Sequence, residues 1–245
     1  MQDIMLMSLI AGLATCLGSI IVILFGKPQE RALAVFLGMA AGIMLAVIIV
    51  DLLPSALAFG KPWSTLVGFF LGVLIMYVLD LLLSWVYPQN KKNSSSRKSY
   101  LLKMGYLIAI GIALHDLPEG MAIAVGYSAT TKLGLLLILG IGMHNIPEGI
   151  ATAAPLRMGG MAPWRILLLS ALVSLFTPIG TWVGFGLINL RPSWMALMLA
   201  LAGGAMAYLV KDELLPESMR YHPNYARVGM LLGASVIVSL TFIHH

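Results

Sequence analysis

Cysteine is almost missing from this chain: among 245 residues only Cys16 is one, and it lies inside an apolar run. That excludes a disulfide framework and a thiolate zinc cluster alike. Charge is scarce too. Asp, Glu, Lys and Arg make up 10% of the residues, where a soluble domain carries about 25%. The start Met1-Gln2-Asp3 has no basic segment before its first apolar run, so no cleavable signal peptide is expected. Also absent is His-Glu-x-x-His, the helical motif that groups two histidines and a general base around a protease zinc. An intramembrane metalloprotease, and an enzyme in general, is therefore not the expected reading.

What remains is apolar. The chain is 60% hydrophobic with a net charge of +5, and its mean hydropathy is +0.94. This is the composition of an all-α, multi-pass membrane protein whose partner is the lipid bilayer. The cations fall between hydrophobic runs and read as topology determinants, so nucleic acid is not an expected partner.

Eight spans are predicted, each near the roughly 20 residues that cross a hydrocarbon core: 4–25, 31–53, 63–86, 100–126, 133–155, 163–187, 194–215 and 226–244. Gly26-Lys27-Pro28, Gly60-Lys61-Pro62, the polar stretch Gln89 to Ser99 and Arg191-Pro192 mark breaks. The whole of 1–245 reads as one transmembrane domain, with spans 1–3 over 4–86, a loop at 87–99, spans 4–5 over 100–155 and spans 6–8 over 163–244. If the first loop is cytoplasmic, then Lys27, Arg31, Lys91, Lys92, Arg97, Lys98, Lys103, Arg157, Arg165, Lys211, Arg220 and Arg227 lie inside. Only Lys61, Lys132 and Arg191 lie outside. The positive-inside rule then puts both termini outside the cytoplasm, in a cell inner (plasma) membrane.

An internal repeat adds architecture. At an offset of 162, Thr15 and Gly18 match Thr177 and Gly180, while Ala40, Gly42, Met44 and Leu52-Leu53-Pro54 match Ala202, Gly204, Met206 and Leu214-Leu215-Pro216. At an offset of 161, Val67, Gly68, Leu71 and Gly72 match Val228, Gly229, Leu232 and Gly233. Spans 1–3 thus repeat as spans 6–8. Because five spans separate the two starts, the second copy is inverted, giving a 3+2+3 arrangement of the kind transporters use, with the site at midplane.

The central pair carries the chemistry. His115-Asp116-Leu117-Pro118-Glu119-Gly120 in span 4 returns 29 residues later as His144-Asn145-Ile146-Pro147-Glu148-Gly149 in span 5. An ionisable side chain at the bilayer centre is opposed by roughly 2.5–3.5 kcal/mol, so such groups face a bundle interior and serve function. His115 and Glu119, like His144 and Glu148, are four residues apart, which sets each pair on one helix face about 6 Å apart. Imidazole with carboxylate suits zinc and neighbouring divalent ions rather than calcium or magnesium. Asp116 and Asn145 add oxygens beside each histidine. Pro118 and Pro147 cannot donate to the carbonyls of Leu114 and Met143, and Gly120 and Gly149 permit close helix approach.

With these motifs the sequence resembles the ZIP (Zrt/Irt-like) divalent metal transporters, in their bacterial branch with short loops. The resemblance covers the full length. It implies uptake of Zn2+, with Fe2+, Mn2+, Co2+ or Cd2+ as further substrates, the metal being cargo and no cofactor being needed. Carried over by position, it implies a primary site of His115, Glu148, His144 and Met44, and an adjoining site of Glu119, Asp116 and Asn145 bridged by Glu148. Two departures stand out. Asp116 and Asn145 are reversed relative to the family's usual order, and Thr177 stands where relatives often carry Glu before Pro-x-Gly. With three acids left, Asp116, Glu119 and Glu148, a second high-affinity metal is put in question.

Acids nearer the ends suggest a path: Asp51 at the outer end of span 2, and its repeat counterpart Glu213, beside Asp212, at the inner end of span 7. Met206 joins them on repeat symmetry alone, since most of the 16 methionines serve as filler. Asp80 receives no role, and the terminal His244-His245 are not ligands. The competing class is a proton-coupled metal exporter or another cation exchanger. Calcium exchange is disfavoured by the two histidines, and import rests on the resemblance. Oligomeric state is open, a homodimer being one arrangement that fits.

Overall fold

The computed structural model describes residues 2–26, 29–87, 94–187 and 192–244, all helix and short turn, with no strand among them. Lys27, Pro28, Gln89, Lys91, Lys92, Arg191 and His245, which served above as breaks or charges, lie outside the described residues.

Along the chain come α1 (Gln2–Phe25), α2 (Glu30–Val47) with a π-helical turn Ile48–Leu52 leading into α3 (Leu53–Phe59), and α4 (Pro62–Val86). Next are α5 (Ser94–Ala129) and α6 (Thr131–Met158), then α7 (Pro163–Ser174) and α8 (Phe176–Leu187). Last come α9 (Pro192–Leu209), a second π turn Val210–Leu214 leading into α10 (Leu215–Tyr221), and α11 (Pro223–His244). Proline opens α4, α7, α9 and α11, where the missing N–H would have no partner anyway. Gly26 and Gly160 end α1 and α6 with φ of 78° and 95°, backbone that side chains with a Cβ rarely adopt. Six helical segments among the described residues are long and apolar enough to cross a membrane: Gln2–Phe25, Glu30–Phe59, Pro62–Val86, Arg97–Ser128, Pro163–Gly186 and Trp194–Tyr221.

Proline placement accounts for where the structure departs from the expected spans. The second was expected to stop at 53 and the seventh at 215, yet both helices run on, to Phe59 and Tyr221. Pro54 and Pro216 would strike the carbonyls four residues back in a regular α-helix. Here a five-residue π turn precedes each proline and widens the helix enough to pass it. The sixth span, expected unbroken over 163–187, is interrupted at Leu175, between α7 and α8, three residues before Pro178. Pro118 and Pro147 sit within unbroken helices.

The helices sort into two groups. α1 packs on α6 and α7, and α5 on α6 and α8; α2 packs on α11 and α10, and α4 on α9. The groups meet along α5–α9, α2–α6 and α4–α5. Glycine sets the closest crossings, and these come in matched pairs. A Cβ on Gly18 would run into the Ile146 carbonyl and one on Gly180 into that of Leu117; one on Gly149 would meet the Thr15 carbonyl and one on Gly120 that of Thr177. Likewise Gly42 faces the Met230 carbonyl as Gly204 faces that of Phe69, and Gly72 faces Leu201 as Gly233 faces Met39. Each pair is related by the repeat offsets.

Burial is inverted at the outer faces, as a lipid solvent requires. All five tryptophans, Trp63, Trp85, Trp164, Trp182 and Trp194, are exposed. Trp63 and Trp85 stand at opposite ends of α4, where the rings suit the two membrane interfaces.

Candidate metal centre

α5 presents His115, Asp116 and Glu119, and α6 presents His144, Asn145 and Glu148, all six buried. Packing of α5 on α6 turns the two motifs toward each other. The histidine rings lie 5.8 Å apart between centroids. Glu119 sits between them: its Oε2 is 3.0 Å from His144 Nε2, a hydrogen bond, and its Oε1 is 2.9 Å from His115 Nε2, off the hydrogen-bonding direction. Glu148 Oε1 is 3.9 Å from the same His115 nitrogen.

Two overlapping sets of ligand atoms result, His115/His144/Glu148 and His115/Asp116/Glu119, each with its atoms within 4.8 Å of one another. A zinc ion bonded at about 2.0–2.2 Å holds tetrahedral ligand atoms roughly 3.4 Å apart. Small side-chain rotations therefore close either set on an ion. The polar atoms left without partners point the same way: both oxygens of Asp116, both of Glu148, both nitrogens of His115, Asn145 Oδ1 and Thr177 Oγ1 are buried and unpaired. An unpaired charge in such surroundings costs several kcal/mol. A divalent cation would give a partner to one His115 nitrogen and to an oxygen of Glu148 or Asp116.

The other expected residues divide. Thr177 is buried in α8, and its carbonyl is the one that Gly120 approaches. Met44 and Met206 are fully buried in the main core, on α2 and α9. Asn145 spends its amide nitrogen on the Ala11 carbonyl at 3.0 Å, so only its oxygen is free for an ion. Asp51 is exposed, accepts a hydrogen bond from Ser55 at 3.1 Å, and lies within electrostatic range of Glu119, His115 and His144. Glu213 and Asp212 belong elsewhere. Glu213 has Lys103, Asp80 and Glu217 for neighbours, whereas Asp212 is exposed and pairs with Lys211 at 3.7 Å.

Sequence reasoning missed two features. Thr15, the repeat partner of Thr177, is likewise buried with its Oγ1 unpaired. The second is a charged network in which Lys103 pairs with Asp80, and Arg97 with Glu217 and the Tyr221 hydroxyl. Lys103 entered only a count of inside cations. Its place within span 4 rather than in a loop was the available signal.

The ZIP zinc transporter family model matches residues 2–105 and 99–241. The chain belongs to the ZIP zinc transporter family. It is 34% identical to the zinc transporter ZupT of Chlorobium luteolum over 99% of this chain and 97% of that protein. It is 35% identical to the ZupT of an Enterobacter species over 95% and 93%, and 33% to that of Corynebacterium efficiens over 97% and 95%. A ZIP chain with several apolar helices is a multi-pass membrane protein, and the buried His/Glu cluster of α5 and α6 fits a metal site.

Proposed function

We propose that this ZIP chain carries zinc into the cytoplasm through a site of His115, His144, Glu119 and Glu148, with Met44, Asp116 and Asn145 at its margin. The convergence of four buried ligand side chains from two helices, with both His115 nitrogens and both Glu148 oxygens unpaired, is the observation that carries this reading. Mixed imidazole and carboxylate favour zinc, and admit iron, manganese, cobalt and cadmium. The ZupT names of the relatives support zinc transport rather than an enzyme activity, with the metal as cargo.

The architecture we infer is eight spans in a 3+2+3 inverted repeat over one domain, with both termini outside the cytoplasm. α6 and α11, of 28 and 22 residues, join the six apolar segments as spans; at about 1.5 Å per residue both exceed the ~30 Å core. Three things support the repeat: the matched π turns at Ile48–Leu52 and Val210–Leu214, the prolines after them, and the paired glycine crossings. Orientation follows from the cations. Asp51 then faces outward as the collecting mouth, and Glu213 lies at the cytoplasmic end.

Zinc uptake into proteoliposomes tests the reading. His115→Ala and Glu148→Ala each abolish uptake while the purified protein keeps its helical circular dichroism, because ligand losses commonly cost 10–100-fold or more in affinity. Undiminished uptake in both sinks the assignment.

A further inference from the structure

We propose that Lys103 is a tethered counter-cation for an exit site made by Asp80 and Glu213, and that the departing divalent cation takes the place of its ammonium there. This rests on the uptake reading above. Lys103 stands on the same helix as His115, twelve residues earlier, which is about 18 Å along the axis. Its side chain is buried, ion-paired with Asp80 of α4, and its Nζ is 3.8 Å from Glu213 Oε1 on the second π turn. Tyr208 of α9 donates its hydroxyl to Asp80 Oδ2 at 3.1 Å. Glu213 is 3% exposed, and its Oε2 has no partner.

A single ammonium therefore serves two carboxylates, the partly buried Asp80 and the buried Glu213, leaving one negative charge unbalanced and Glu213 Oε2 unpaired. A divalent cation balances both. Carboxylate oxygens reach zinc at about 2.0–2.2 Å, and the Asp80 and Glu213 groups already converge on one point, the lysine nitrogen. Left without the lysine, the two acids would hold the ion and stall turnover. The tethered ammonium competes for them at high effective concentration, as any intramolecular ligand does, and so returns the ion to solution. The repeat counterpart, Asp51, has a serine hydroxyl beside it instead of a cation.

The test counts zinc bound to the purified full-length chain by equilibrium dialysis, in a His115→Ala background that silences the central site. Adding Lys103→Gln gives one zinc ion that His115→Ala alone lacks; adding Glu213→Gln removes it again; Lys103→Arg, which keeps the charge, gains none. In the otherwise unchanged protein, Lys103→Gln lowers uptake at saturating zinc by about tenfold, a size typical of altered metal-site partners, without raising KM. No extra ion with Lys103→Gln overturns the proposal, as does an extra ion that survives Glu213→Gln. Where Lys103→Gln does not fold, the Asp80→Asn/Glu213→Gln pair decides: uptake at saturating zinc falls, and an unchanged rate refutes the exit site. Full zinc binding and uptake by His115→Ala alone would instead refute the central site.

Discussion

Asp51 and Glu213 occupy one register of a segment that the chain uses twice. Each sits in a π turn followed by Leu-Pro, 162 positions apart. Their surroundings differ completely. Asp51 is exposed, with a serine hydroxyl for a partner and the central histidines within electrostatic range. Glu213 is buried among Lys103, Asp80 and Tyr208, with the Arg97–Glu217 pair beyond. The repeated backbone supplies both acids. The cations that distinguish the two ends come from outside the repeat, on the first three turns of α5, which bring Arg97 and Lys103 to the Glu213 end, while Asp80, Tyr208 and Glu217 stand within the repeated segments. The Asp51 end is thus exposed and anionic, and the Glu213 end is closed by ion pairs.

Copying the lysine to the open end is the strongest way to break that contrast. Ser55 lies one turn after Asp51, so Ser55→Lys places an ammonium against the carboxylate proposed to collect the ion. A unit charge interacts with another at 4 Å by about 4 kcal/mol at an effective dielectric of 20, and the incoming ion carries two charges. Screening at an exposed mouth removes most of this, leaving an expected fall of about tenfold or more in the kcat/KM of zinc uptake. Ser55→Gln, of similar size without the charge, should act far less. Equal losses in both variants would show that shape, not charge, governs the outer mouth.

The closed end is predicted to be the better-held one. Glu217 is 2% exposed and its partner Arg97 31%, so Glu217→Gln strands a guanidinium that can still reach water. The cost should fall below the 3–5 kcal/mol of a fully buried pair, at about 1–2 kcal/mol. In a chain of this size that lowers Tm by roughly 2–8 °C, readable by thermal melting in detergent. Asp51→Asn should leave Tm unchanged. If the two variants melt together, the inner ion pairs contribute no more than the exposed outer acid.

The buried His/Glu cluster was legible in the sequence because each motif is local: His-x-x-x-Glu on a helix fixes its own face. Helix existence was legible for the same reason, from long apolar runs. Three features needed the third dimension. Helix ends at Phe59 and Tyr221 were hidden because a proline after an apolar run reads as a stop, whereas here a π turn carries the helix past it. The Lys103–Asp80–Glu213 cluster joins three separate helical segments, so no spacing announces it. Asn145 looked equivalent to Asp116 as a ligand, yet its amide nitrogen is committed to Ala11, a contact that depends on how α1 crosses α6.

Between the mouths the repeat symmetry returns, and Thr177 is where to disturb it. Thr15 and Thr177 stand at matched repeat positions of α1 and α8, both buried and both with an unpaired hydroxyl oxygen. Thr177→Glu converts one of the two into a carboxylate near Asp116, Glu119 and Glu148 while leaving Asp51 and Glu213 untouched. α1 packs closely here, since a Cβ on Gly12 would stand 3.1 Å from Thr177 Oγ1, so the longer side chain has to extend away from Gly12. Like charges in a low dielectric raise one another's pKa unless a cation lies between them. The mutant should therefore hold a second zinc ion at high metal, and an extra proton at low metal. Uptake at saturating zinc should change least of the three substitutions, since neither mouth is altered. Zinc titrated into purified protein at neutral pH, with bound ions counted, gives the answer: one tight ion in the unsubstituted chain and two in Thr177→Glu. Two tight ions before the change and two after it would show that the three acids already neutralise a pair of divalent cations, and that the threonine limits nothing.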